Sequence, residues 1–159
     1  MEERTYTVEK WIKELPRSRV VYPQNKRDRL MYWCFRAYTP FHKPVRATSL
    51  ALGLLKHEGR QDFLLGTLDP KHSMRDFVAF LVEHGFGNHF IAWREENELV
   101  SLRKAVGFKY QYHVRIFTDG EVRCHYEYTP ECHPILHIRE IGVEDRTEEF
   151  KTLIQDWIV

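Results

Sequence analysis

Histidine and arginine alternate along two neighbouring stretches of this chain: His113 and Arg115 in the first, Arg123 and His125 in the second. Imidazoles titrate near neutral pH and serve as general acids and bases. Guanidinium forks grip phosphate and carboxylate oxygens in pairs. Brought together, the four side chains are suited to holding a phosphate group. In a concave pocket they are also suited to cleaving a phosphoester, with His113 and His125 as acid and base and the arginines stabilising developing negative charge. Gln111 and Glu127 flank the set and count among its candidate ligand-binding residues, with Arg115 and Arg123.

Whether these residues meet depends on the register of a hairpin. Strands over 110–117 and 121–128 flank Thr118-Asp119-Gly120. A two-residue Asp-Gly turn would pair positions whose numbers sum to 239 and would mix apolar and charged groups on each face. A three-residue loop, with Gly120 left-handed in a bulge, pairs positions summing to 238. It then sets Tyr110, Tyr112, Val114 and Ile116 against Tyr128, Tyr126, Cys124 and Val122. The other face carries Gln111, His113 and Arg115 against Glu127, His125 and Arg123. A slip of one residue would scramble both faces, so this clean segregation selects the three-residue loop. The tyrosine face is expected to be buried and the His–Arg face to be exposed to solvent, ligand or partner. Arginines directly opposite each other repel, so Glu127, Glu131, another acid or a bound anion is needed to offset them.

Cys124, His125, Cys132, His133 and His137 crowd a short stretch, but their spacing matches no standard zinc pattern. The His133–His137 pair has HxxxH spacing, yet Pro134 and the strand-like run after it oppose a helix there. The chosen register also turns Cys124 away from His125. No metal is expected, and His125, His133 and His137 are the weak candidates. No Walker A loop, GxSxG elbow, HExxH helix or EF-hand loop occurs, and no cofactor is expected. Gly85-Phe86-Gly87 reads as a helix stop.

A second region carries a different chemistry. Residues 17–46 hold eight basic side chains, Arg27, Arg29 and Arg36 among them, against the single acid Asp28. Tyr22, Tyr32, Trp33, Phe35, Tyr38 and Phe41 lie between them. Basic groups neutralise phosphates and aromatic rings stack on bases, a mixture suited to single-stranded nucleic acid. The plainer alternative is a core of aromatics covered by charges. The whole chain has a net charge of +1, but residues 1–60 carry +7 and the remainder −6. Such halves either form a basic surface or neutralise each other.

These candidates must be positioned by one domain: 159 residues, 43% hydrophobic and 30% charged, is a globular composition. A helix is expected from Val8 to Leu15, capped by Thr7 and ended by Pro16, and a strand over Ser18–Tyr22. Leu30–Tyr38 reads as a strand from its aromatic content. Arg46–Lys56 and Asp62–Leu68 read as two buried strands, and a helix capped by Ser73 runs to His84 with Gly85 at its stop. Asn88–Arg94 resembles a strand. Residues 96–106 fit either a helix closed by Gly107 or a strand, with the helix preferred. A strand near 135–141 and a final helix with Phe150, Leu153, Ile154, Trp157 and Ile158 on one stripe complete the chain. The fold class that follows is α+β: a mainly antiparallel sheet with three to four helices packed largely on one side.

No apolar run is long enough to span a membrane. Three cysteines without a CxxC pair fit a reduced, cytoplasmic setting. The leading functional reading is a binding module for a phosphate-bearing ligand, with nucleic acid the first candidate and the basic N-terminal half joined to the hairpin face. A small phosphoesterase-like hydrolase working through the His pair is the alternative. A structural protein that self-associates as a homodimer is the third.

Overall fold

Apolar and polar side chains alternate through 110–116 and 122–128, and in the computed structural model this hairpin lies at the centre of the sheet. The structure describes residues 10–54, 63–88, 97–133, 137 and 143–159. Among them, β1 (Phe63–Thr67), β2 (Gly87–Asn88), β3 (Glu98–Val106), β4 (Tyr110–Phe117) and β5 (Glu121–Tyr128) form one antiparallel sheet in the order β1-β5-β4-β3-β2. The helices are α1 (Lys10–Lys13), α2 (Lys26–Tyr38), α3 (His42–Ala51), α4 (Met74–Glu83) and α5 (Thr147–Ile154), with a 3-10 turn at Thr39–Phe41. This is an α+β fold with an antiparallel sheet.

The β4–β5 register is that of the three-residue loop: Tyr110 faces Tyr128, Tyr112 faces Tyr126 and Val114 faces Cys124. Gly120 has φ +88°, and its N–H donates to the Phe117 carbonyl at 3.0 Å. Val114, Ile116 and Val122 are wholly buried. With Tyr112, Cys124, Tyr126, Val100 and Leu102 they form the apolar face of the sheet. Ile12 of α1, Phe77, Val78 and Leu81 of α4, and Phe150 and Ile154 of α5 join the same cluster. At about 25 cal/mol per Å² of apolar surface removed from water, this layer is the main source of folding free energy.

Ser73 caps α4 as expected, its hydroxyl accepting from the Asp76 N–H at 3.1 Å, and Gly85 follows the helix at φ +89°. Other expectations are corrected. Leu30–Tyr38 is the body of α2, not a strand. Asn25 caps it by accepting from the Asp28 N–H at 2.8 Å, while its own amide donates back to the Asp28 carboxylate at 2.6 Å. That reciprocal cap outweighs the strand preference of its aromatics. The described part of the expected strand Arg46–Lys56, residues 46–54, is not a strand either: residues 42–51 are α3. Pro40 and Pro44 occupy the first turns of the 3-10 turn and of α3, where a missing N–H costs nothing.

Residues 18–22 form no strand, and Arg17 makes only an isolated bridge to Asn88. Residues 98–106 are β3 rather than a helix, paired to β4 with Val100 opposite Ile116 and Leu102 opposite Val114. The final helix ends at Ile154; Ile158 bridges Leu68, and Thr67 and Val159 exchange backbone hydrogen bonds at 3.0 and 2.8 Å. The expected strands at 88–94 and 135–141 fall mostly outside the described residues.

A side chain at Gly120 meets the left-handed penalty of an L residue. Gly120→Ala is therefore expected to lower unfolding free energy by about 1–2 kcal/mol, read as a lower urea midpoint at unchanged m-value.

Candidate functional site

The period-2 alternation that buries the tyrosines turns Gln111, His113, Arg115, Arg123, His125 and Glu127 to the opposite face of the sheet. This face is not the open one expected. Arg115 has no exposed surface, Glu127 is 1% exposed, Gln111 2%, His125 3% and His113 8%. β3 adds Ser101 and Arg103 to the same face, opposite Arg115 and His113. Ions in such a place are stable only when paired and fully hydrogen-bonded.

The pairing is thorough. Arg115 donates through Nε and Nη2 to Glu98 Oε2, at 3.0 and 2.6 Å. Arg103 forms a two-pronged bridge to Glu131, at 2.7 and 3.0 Å. It also donates to Ser18 Oγ at 2.6 Å and Gln111 Oε1 at 2.8 Å. Gln111 Nε2 in turn donates to Glu127 Oε1 at 2.5 Å. Arg123, 37% exposed, pairs with Glu121, and it and Arg115 stack against the Phe117 ring, with guanidinium carbons 4.6 and 5.0 Å from its centroid. The expected repulsion between the facing arginines is thus offset by Glu98 and Glu121. Glu131 serves Arg103, and Glu127 serves the histidines.

The two histidines do meet: His113 Nδ1 lies 3.2 Å from His125 Nε2. The same nitrogens lie 3.6 and 3.4 Å from Glu127 Oε1 and Oε2. Ser101 Oγ lies 2.7 Å from the second ring nitrogen of His113. His137 Nδ1 is 3.1 Å from Glu127 Oε2 and 3.2 Å from the Tyr128 carbonyl. Burial by itself raises the Glu127 carboxyl, but His137 and His125 beside it reverse that and hold it well below the usual carboxylate range. His133 stands apart, against the Tyr128 ring at 5.5 Å. Cys124 is buried on the apolar face and Cys132 is half-buried.

Arg27, Arg29 and Arg36 lie elsewhere, exposed along α2. Leu30 and Trp33 project between them, 64% and 61% exposed. Trp33 is edge-on to Tyr32 at 6.0 Å, Tyr32 to Tyr22 at 5.3 Å, and the Arg29 guanidinium carbon lies 5.9 Å from the Tyr22 centroid. In the 3-10 turn and α3, Phe41 and Val45 are also exposed, 61% and 44%, as is Lys43. The aromatics of 17–46 are therefore divided: Phe35 is buried, while Trp33 and Phe41 stand in solvent. A groove of about 670 Å³ between Phe63–Leu64 and the start of α5 is lined by Glu144, Asp145, Glu148 and Glu149 around Arg146, a poor setting for an anion.

Glu98, Ser101, Arg103 and Ser18 escaped the sequence reading of the hairpin face. The signal for Ser101 and Arg103 was their two-residue spacing along β3, hidden by reading that segment as a helix, and the bulge between Glu98 and Val100 takes Glu98 out of that period. No family model, curated protein or solved structure matches the chain. Among the described residues no helix is long and apolar enough to cross a membrane.

Two outcomes follow. Glu98→Leu strands the Arg115 charge and is expected to cost about 3–5 kcal/mol, whereas the double variant Glu98→Leu with Arg115→Met recovers most of it; chemical denaturation of the three chains decides. For Glu127, a depressed carboxyl pKa adds stability that is present above its ordinary value of 4.5 and lost as pH falls through the native value. The stability gap between the wild type and Glu127→Gln, in chelator, should therefore be full at pH 6 and shrink below about pH 4.5. A gap unchanged down to pH 3 contradicts the ionised pairing with His125 and His137.

Proposed function

We propose that the protein is a binding module for a phosphate-bearing polymer, single-stranded nucleic acid the first candidate, and that α2 with the 3-10 turn and α3 supplies the surface. One observation carries this reading: Trp33, Leu30 and Phe41 stand exposed among Lys26, Arg27, Arg29, Arg36 and Lys43. A large exposed apolar patch on a single chain marks an interaction surface, and its basic surround selects an anionic partner. Ring faces stack on bases of any sequence, while the guanidinium groups track the backbone. Arg115 and Arg103 are committed to Glu98 and Glu131, so the reading rests on α2, the 3-10 turn and α3 and not on a surface shared with the hairpin.

Acid–base hydrolysis through His113 and His125 asks for a concave pocket that delivers a substrate to them. At 8% and 3% exposure these imidazoles do not line an open face, and the α2 surface is the better-supported reading.

Fluorescence anisotropy of a labelled single-stranded oligonucleotide at two salt concentrations tests it. Affinity is expected to fall with salt, with a log–log slope of about −0.7 for each phosphate neutralised. Arg29→Ala and Arg36→Ala should each flatten that slope. Trp33→Ala should weaken binding by about 1–3 kcal/mol if a base stacks there. No association at low salt would remove the proposal.

A further inference from the structure

We infer that His113, His125 and Glu127 form a site for a divalent transition-metal ion, with zinc(II) the first candidate. The inference is independent of the α2 surface. His113 Nδ1, His125 Nε2 and the Glu127 carboxylate converge, with separations of 3.2, 3.6 and 3.4 Å between donor atoms. Zinc bonds of about 2.0–2.1 Å at tetrahedral angles put neighbouring donors about 3.3–3.4 Å apart; the two ring nitrogens are 3.2 Å apart, and each lies near a different Glu127 oxygen, His113 Nδ1 at 3.6 Å from Oε1 and His125 Nε2 at 3.4 Å from Oε2. The donor chemistry also fits. Two imidazoles and a carboxylate, all buried, are borderline ligands that suit zinc and its neighbours better than magnesium or calcium.

The surrounding groups orient these donors as metal sites require. Ser101 engages the second ring nitrogen of His113 at 2.7 Å, which holds the ring with Nδ1 turned toward His125. Gln111 holds one Glu127 oxygen at 2.5 Å and His137 holds the other at 3.1 Å. Gln111 is itself fixed by Arg103, whose guanidinium is locked by Glu131. All three ligands stand on the paired strands β4 and β5, so their spacing is set by the ladder rather than by a loop. Without an ion, the two ring nitrogens face each other at 3.2 Å. A cation between them would be coordinated by both and by the carboxylate. Three protein donors leave a fourth tetrahedral position for water or another ligand.

The full chain is stripped with chelator, exchanged into metal-free buffer and titrated with cobalt(II), whose visible absorption reports tetrahedral nitrogen–oxygen ligation, and then with zinc(II) in competition. The expected result is one cobalt per chain, displaced by one zinc, with a higher thermal midpoint. Glu127→Gln and His125→Gln should weaken zinc binding at least 100-fold. Loss of the supporting His137 in His137→Ala should weaken it by about 10–100-fold at unchanged stoichiometry. Circular dichroism identifies any variant that fails to fold, and the wild-type titration stands without the variants. A folded wild-type chain that takes up no cobalt or zinc overturns the inference. Equal binding by the wild type, Glu127→Gln and His125→Gln overturns it as well, since the ion would then sit elsewhere.

Discussion

An antiparallel sheet usually faces the core on one side and water on the other. Here the second side is also buried, and it carries charge. That condition governs much of the molecule. Arg103, Arg115, Glu98, Glu127 and Glu131 are each 4% exposed or less, so each needs a partner of opposite charge or a full set of hydrogen bonds. β3, β4 and β5 supply nearly all of them within one layer, and Ser18 and Glu131 close the edges. The apolar face provides the bulk of the burial free energy, and the charged face narrows the permitted register. Slipping β4 against β5 would expose valines and tyrosines, and it would also separate His113 from His125 and Gln111 from Glu127.

The same requirement explains why the His–Glu cluster is so well ordered. Each donor near Glu127 is held by a neighbour that is itself held: Arg103 by Glu131, Gln111 by Arg103, Glu127 by Gln111 and His137. Such a chain tolerates little rearrangement, because releasing one member leaves a buried polar group unsatisfied. A rigid, preorganised set of imidazoles and a carboxylate is the natural product of that constraint.

α2 and α3 obey a different rule. Each has a single buried residue, Phe35 and His42 respectively, and the rest are half-buried or exposed. Their identity as helices comes from local features: the Asn25–Asp28 cap and prolines placed in first turns. Their exposed leucine, tryptophan and phenylalanine contribute little to the core. The side chains of α2 are thus largely open to solvent, whereas those of the hairpin's charged face are held within the buried network.

The sequence by itself determined the hairpin, its three-residue loop and its register, since the two faces segregate in only one alignment. It also determined the caps of α4 and the apolar stripe of α5, because these depend on neighbours within a few residues. It misjudged α2, α3 and β3. Aromatic content outweighed a cap in the first, and in the last a strand buried on both faces offered no simple alternation of apolar and polar residues to recognise. Tertiary structure alone decided that the His–Arg face is interior. A charged face looks solvated from the sequence, and it becomes a buried network only when Glu98, Arg103 and Glu131, distant along the chain, arrive with matching charge.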